Sequence, residues 1–178
     1  MAEVNRILMV FEFPPGDHEW QLRDLAKGLS ARRPRLRIDF CTGPAGKYRP
    51  GGLHPRRLAG GFWVHLRAFF QIVTGRYDAV LVRSSPPLIP MTVAAACRLR
   101  RIPYWVWLMD AHPEIERELW EKIPVLGWLC GLLVRVNAGC LRRADIVVVL
   151  DEGMRRRLVP SLAQSRVIVC PTWVKAAR

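Results

Sequence analysis

Sequence signatures of several familiar binding chemistries are missing from this chain. Its five cysteines form no C-x-x-C pair and their number is odd, which disfavours both a zinc site and a disulfide framework. No metal is expected, and most of these thiols are predicted to be buried in apolar segments. The usual dinucleotide fingerprint, G-x-G-x-x-G, and the P-loop, G-x-x-x-x-G-K-[ST], are also absent.

Acidic residues are scarce. The 178 residues include 28 Lys and Arg but only 15 Asp and Glu, for a net charge of +13, and almost all of the cations are arginine. This excess indicates an anionic partner, such as phosphate groups or an anionic membrane surface, or else the arginine bias of a GC-rich genome. The arginines lie in scattered pairs, without a basic tail or an aromatic-interleaved RNA motif, so nucleic acid is not an expected partner.

Long hydrophobic runs are missing too. Residues 7–13 are too short for a signal-type apolar core and contain Glu12, so the chain is expected to be cytoplasmic. Residues 123–134 are almost fully apolar, but a spanning helix needs roughly 20 residues. Together with the aromatic residues 62–70, this segment predicts either insertion at the inner face of the membrane as a peripheral protein, or helices packed against a sheet.

Short apolar runs alternate with helical patterns along the chain, which is long enough for one large domain. They predict strands over residues 7–13, 36–41, 79–82, 104–109, 146–150 and 167–170. Helices are predicted over 22–29, 62–73, 88–99, 115–141 (interrupted near Pro124) and 152–158, the last with Asp151 as its cap. Residues 45–61, rich in Gly, Pro and basic residues, predict a mobile loop. The pattern is typical of an α/β fold with a doubly wound, mostly parallel sheet covered on both faces.

Polar residues follow three of these strands, at the edge where ligands bind in open α/β sheets. The candidates, in chain order, are Glu12, Pro15, Gly16, Asp17, Ser84, Ser85, Asp110, His112 and Glu114. Asp110 and His112 predict acid–base chemistry, or else a helix cap beside a surface histidine. Ser84 and Ser85 could either bind an anion or simply cap a helix. Glu12 is either a cleft residue or a solvated charge at the edge of the sheet.

Five segments, in order, resemble the N-terminal half of GT-B glycosyltransferases of the family 4 type. They are residues 7–16, 77–88, 109–114, 144–154 and 167–174, and the third is similar to the family's Asp-x-x-Pro-Glu turn. The resemblance spans nearly the whole chain. It implies a Rossmann-like, acceptor-side domain over residues 1–174, followed by a truncated linker at 175–178. One departure is the loop after Pro15, which carries the single Gly16 where the family usually has two glycines.

The resemblance also implies a function, which is to hold the acceptor in an enzyme that moves sugar from a nucleotide-sugar to a lipid-linked or other glycan. Asp110 and His112 would be catalytic or acceptor-orienting, and the other seven candidates would line the acceptor or donor cleft. The nucleotide-sugar would be a co-substrate, with no tightly bound cofactor. The family's donor-binding domain would begin where the chain stops. We therefore expect a separately encoded donor-binding partner or a truncated product, and no activity of the chain alone. The alternative is a non-catalytic module derived from this fold that docks on a membrane or a partner.

Overall fold

Six parallel strands and five helices make up the part of the chain that the computed structural model describes: residues 4–11, 20–43, 55–83, 88–108, 124–158, 162 and 166–170. The strands are β1 Arg6–Phe11, β2 Arg37–Thr42, β3 Ala79–Arg83, β4 Tyr104–Leu108, β5 Ile146–Val149 and β6 Val167–Val169. The helices are α1 Trp20–Arg32, α2 Pro55–Thr74, α3 Leu88–Arg100, α4 Pro124–Arg143 and α5 Glu152–Leu158. The predicted α/β fold with a parallel sheet is confirmed.

The order in which the chain adds strands to the sheet changes direction between β1 and β3. Its order is β2-β1-β3-β4-β5-β6, so the chain moves from β1 to one side and then returns to the other side at β3. Pairing of Val10 with Val82 and of Leu108 with Val149 brings the carboxyl ends of these strands to one edge. Ligands of such sheets bind beyond that edge, next to the reversal.

Alternate strand residues pack into two separate hydrophobic cores. On one face, side chains such as Val10 and Val82 pack against α2, α3 and α4; on the other, Met9 and Leu81 pack with α1. The helix residues of the first core are Val64, Ala68, Ile72, Val93, Ala96, Cys97 and Leu141. Because both sheet faces are covered, the inner strands β1, β3, β4 and β5 are nearly continuous apolar runs, as the sequence predicted, whereas the edge strand β2 contains Arg37 and Asp39.

The predicted loop over residues 45–61 is wrong in its last part. Helix α2 begins at Pro55, so residues 55–61 are helical despite two glycines. Proline is well tolerated in a first helical turn. The fully buried Val64, Ala68 and Ile72 secure the helix against the sheet, and such packing overrides the low helix propensity of glycine.

A local sequence signal correctly predicted how α5 begins. The backbone N–H of Met154 donates to Asp151 Oδ1 at 2.7 Å, which confirms the cap of α5. Helix α4 begins at Pro124, and the part of the predicted helix before this residue lies outside the described residues. Predictions for residues 12–17, 45–54, 84–87, 109–123 and 171–178 lie outside the described residues. No helix in the described part of the chain is long and apolar enough to cross a membrane.

Candidate functional site

The candidate site is the carboxyl edge of the sheet, where β1, β3 and β4 end side by side. Neighbouring strands lie about 4.8 Å apart, so three chain segments leave the sheet within about 10 Å of one another. Residues 12–19 follow β1, residues 84–87 follow β3 and residues 109–123 follow β4. This is the arrangement in which residues distant in sequence can form one cleft.

All nine residues predicted for the site lie in these segments, outside the described residues: Glu12, Pro15, Gly16, Asp17, Ser84, Ser85, Asp110, His112 and Glu114. The structure establishes where their segments start. Glu12 directly follows Phe11, Ser84 directly follows Arg83, and Asp110 is the second residue after Leu108. Their individual roles stay predictions.

Buried aromatic side chains lie at the ends of β1 and β4. Phe11 and Trp107 belong to the core on the α1 face, and Phe11 contacts Phe40 with ring centroids 6.4 Å apart. Trp107 is only 2% exposed, and its indole N–H meets no hydrogen-bond acceptor among the described residues. A buried indole N–H usually has an acceptor, so this donor is an exception in the core on the α1 face.

Arg83 is a functional candidate that the sequence analysis passed over. It is the last residue of β3, is half-buried and pairs in register with Trp107. A guanidinium at this edge has the geometry and charge to bind phosphate. The sequence does carry a signal for this residue: an arginine ends an otherwise apolar strand and directly precedes two serines.

The acidic residues at the opposite, amino edge are occupied with backbone bonding. Asp78 Oδ2 accepts hydrogen bonds from the backbone N–H groups of Asn5 and Arg6, both at 2.8 Å. Asp145 Oδ2 accepts one from the Tyr104 N–H at 3.0 Å. These carboxylates tie together the beginnings of neighbouring strands, so their roles are structural.

Three of the cysteines are free, buried thiols, as predicted. Burial raises the pKa of Cys41 to about 11 and that of Cys97 to about 12, and it also raises the pKa of Cys140. These thiols are therefore protonated near neutral pH and are poor nucleophiles and poor metal ligands. Within the described ranges, no group of three His, Cys, Asp or Glu side chains is arranged to hold a metal ion.

His65 of α2 has a side-chain partner on α3. Its Nδ1 lies 2.9 Å from Thr92 Oγ1, which joins α2 to α3 across 27 residues of sequence. Burial lowers the pKa of this histidine. The contact holds two helices together on one face of the sheet.

The fold and the position of the candidate cleft define a Rossmann-like domain of the kind found in GT-B glycosyltransferases. Residues 16–173 match the family described as glycosyl transferase 4-like domain, and the chain belongs to this family. The family predicted from the sequence is therefore confirmed. No curated protein matches the chain.

Several solved GT-B glycosyltransferases have a similar fold. HepE from Anabaena, in complex with UDP, is 14% identical with a TM-score of 0.54, and the match covers 96% of this chain and 44% of that one. A UGT transferase from Siraitia grosvenorii, in complex with UDP, is 10% identical with a TM-score of 0.59, covering 97% and 49%. UGT2 from Phytolacca americana, complexed with UDP-2fluoro-glucose and pterostilbene, is 12% identical with a TM-score of 0.53, covering 99% and 56%. The chain thus spans about half the length of the structures it matches.

Proposed function

We propose that this chain is the acceptor-binding half of a glycosyltransferase that acts on a lipid-linked or other glycan. The observation that carries the proposal is the meeting of three strand ends in a chain of the glycosyl transferase 4-like family. The segments that leave β1, β3 and β4 carry carboxylates, hydroxyls and a histidine, which are the groups that hold sugar hydroxyls.

The reaction needs an acceptor hydroxyl in line with the anomeric carbon of the donor sugar. The hydroxyl oxygen bonds to that carbon while the bond from the carbon to the diphosphate oxygen breaks. The hydroxyl proton passes to a base and the nucleoside diphosphate leaves as an anion. We assign Asp110 as the base or acceptor-orienting group, with His112 as the competing base, because an imidazole titrates near neutral pH. Arg83 at the end of β3 would stabilise phosphate charge at the same edge.

The nucleotide-sugar enters this proposal as a co-substrate. The matched structures with bound UDP belong to chains about twice as long as the region they share with this one. We therefore propose that a second, donor-binding domain completes the cleft, either as a separate partner or within a longer chain. A cleft with one wall can neither clamp a diphosphate nor exclude water.

The test is binding of a small acceptor mimic, octyl β-glucoside, below its critical micelle concentration. The NMR signal of the Trp107 indole N–H, assigned with Trp107→Phe, is the probe, because Trp107 lies one residue before the end of β4. We expect Asp110→Asn to weaken binding about tenfold or more, because a hydrogen bond to a charged group is lost. Asp24→Asn on α1 is the matched control and should leave both affinity and melting temperature unchanged.

His112→Ala separates the two candidate bases in the same titration. If Asp110→Asn binds normally while His112→Ala does not, the acceptor-orienting role belongs to His112. If both variants bind as the unchanged chain does, residues 110–114 form a turn and the proposed acceptor site is wrong.

A second candidate function, docking on an anionic membrane surface, is favoured by exposed aromatic side chains on two helices. Phe62, Trp63 and Phe70 of α2 and Trp128 of α4 are all more than half exposed. Such side chains beside arginines suit an interfacial position. This docking is compatible with the enzyme half, and by itself it would describe a non-catalytic module.

A further inference from the structure

An open groove lies between α3 and α4, at the amino edge of the sheet. Its volume is about 930 Å³, and it lies beside Tyr104, the first residue of β4, and Asp145, which precedes β5. Apolar residues line much of it: Met91, Ala94, Ile102, Val136 and Gly139. The candidate acceptor site is at the opposite edge, so the groove has no part in that chemistry.

Arginines dominate the charge of this groove. Among the described residues that line it, there are four arginines and one carboxylate, that of Asp145; the arginines are Arg98, Arg101, Arg135 and Arg143. That carboxylate already accepts the Tyr104 N–H at 3.0 Å. Among the described residues, none of the four guanidinium groups forms an ion pair. The described lining of the groove therefore carries a net positive charge.

One of these arginines is in an unusual backbone conformation. Arg101 has a φ of 56°, in the left-handed region where glycine is the usual residue. It closes α3 with two hydrogen bonds, from its own N–H to the Arg98 carbonyl and from the Ile102 N–H to the Cys97 carbonyl. A cationic side chain thus occupies a position where the backbone favours glycine.

Exposed apolar side chains continue from the groove along α4. Trp128, Leu132, Arg135 and Gly139 are spaced by three or four residues and so lie on one face of the helix. Trp128 is 71% exposed and Leu132 43%, and Leu99 at the end of α3 is 65% exposed. Arginines beside exposed apolar side chains match the boundary between lipid headgroups and acyl chains.

We propose that the groove between α3 and α4 binds the phosphate headgroup of an anionic membrane lipid. The four arginines supply the charge, and the exposed side chains of α4 contact the acyl region. A free inorganic phosphate would fill a small part of the groove and would leave the apolar stripe of α4 unused. The observations therefore favour a lipid as the source of the phosphate.

Vesicle flotation tests the proposal. The chain should float with mixed phosphatidylcholine–phosphatidylglycerol vesicles but not with phosphatidylcholine alone, and binding should fall as salt rises. Replacing Arg98 and Arg143 together with glutamine should weaken binding about tenfold or more. Replacing Arg32, the last residue of α1, and the following Arg33 with glutamine changes the net charge by the same amount. This control should weaken binding less than about threefold.

A second variant tests the shape of the groove without changing its charge. A Cβ atom added at Gly139 would meet nothing within 4 Å, so Gly139→Phe extends into open space and can fill the groove. Gly28 on α1 has equally open surroundings and provides the matched control, Gly28→Phe. We expect Gly139→Phe to abolish flotation with phosphatidylglycerol vesicles and Gly28→Phe to retain it, with melting curves confirming that both fold.

Three results would overturn the proposal. Both double arginine variants could lose binding equally, which would indicate a general charge effect. Flotation could survive Gly139→Phe, which would place the lipid contact elsewhere. Inorganic phosphate could bind as tightly as soluble dihexanoyl-phosphatidylglycerol, which would indicate a free-anion site. None of these results depends on acceptor binding at the carboxyl edge, so this proposal and the proposed acceptor site fail independently. The proposal rests on the second candidate function, membrane docking, and flotation that survives Gly139→Phe would rule out the groove while leaving that docking in place.

Discussion

Carboxylates at the amino edge of the sheet have structural roles, whereas those at the carboxyl edge are proposed to act in chemistry. At the amino edge, Asp78 and Asp145 accept backbone N–H groups, and Arg6 pairs with Asp39 at 2.7 Å while its guanidinium lies 4.9 Å from the Tyr77 ring centroid. These contacts fix the starts of neighbouring strands. The carboxylates proposed for chemistry, led by Asp110, belong instead to segments that follow the opposite ends.

His65 makes stability depend on pH. Burial lowers its pKa in the folded chain below the ordinary 6.5, so the unfolded chain takes up the proton first as the pH falls. The stability that neutral, buried His65 contributes to the fold is fully present above about pH 6.5 and is lost as the pH falls below that value. Between about pH 7.5 and about pH 5.5, the melting temperature should fall more for the unchanged chain than for His65→Gln. Parallel curves for the two proteins would contradict this assignment.

The sequence predicted residue roles where the signal was local. Asp151 lies three residues before the N–H that it caps, and three of the cysteines in apolar runs, Cys41, Cys97 and Cys140, are buried. The partner of His65 and the position of Arg83 beside Trp107 depend on helix packing and strand register. Neither follows from spacing along the chain.

Helices and strands were predictable to the extent that packing and propensity agree. The strands were found within a few residues because both faces of the sheet are covered and the inner strands are apolar runs. The start of α2 was missed because glycine and arginine at residues 56–61 have the composition of a loop. Burial of Val64, Ala68 and Ile72 further along the same segment stabilises it as a helix.

Replacing each of two glycines with alanine should change the stability of the fold in opposite directions. Gly139 lies inside α4 with open space at its Cβ position, so Gly139→Ala should stabilise by about 0.5–1 kcal/mol and raise the melting temperature by about 2 °C. At Gly75, which follows α2, a Cβ would collide with the Gln71 carbonyl and the Tyr77 ring. Gly75→Ala should therefore destabilise by about 1–3 kcal/mol. Thermal melting measures both, and shifts of the same sign would contradict the packing described here.

Across the whole molecule, two sites are proposed at opposite edges of one sheet. The carboxyl edge carries the acceptor site, and the arginine groove at the amino edge carries the lipid contact. Motifs at strand ends were sufficient to predict the family and the fold. The groove could not be predicted, because Arg98 and Arg143 meet only when α3 packs against α4.

The most direct measurement compares donor and acceptor in one experiment. The Trp107 indole signal is followed while UDP-glucose and octyl β-glucoside are titrated separately into the chain. An acceptor-side half should respond to the glucoside with a dissociation constant of about a millimolar, and to UDP-glucose more weakly still. Micromolar affinity for UDP-glucose, with no response to the glucoside, would contradict the assignment of this chain to the acceptor side.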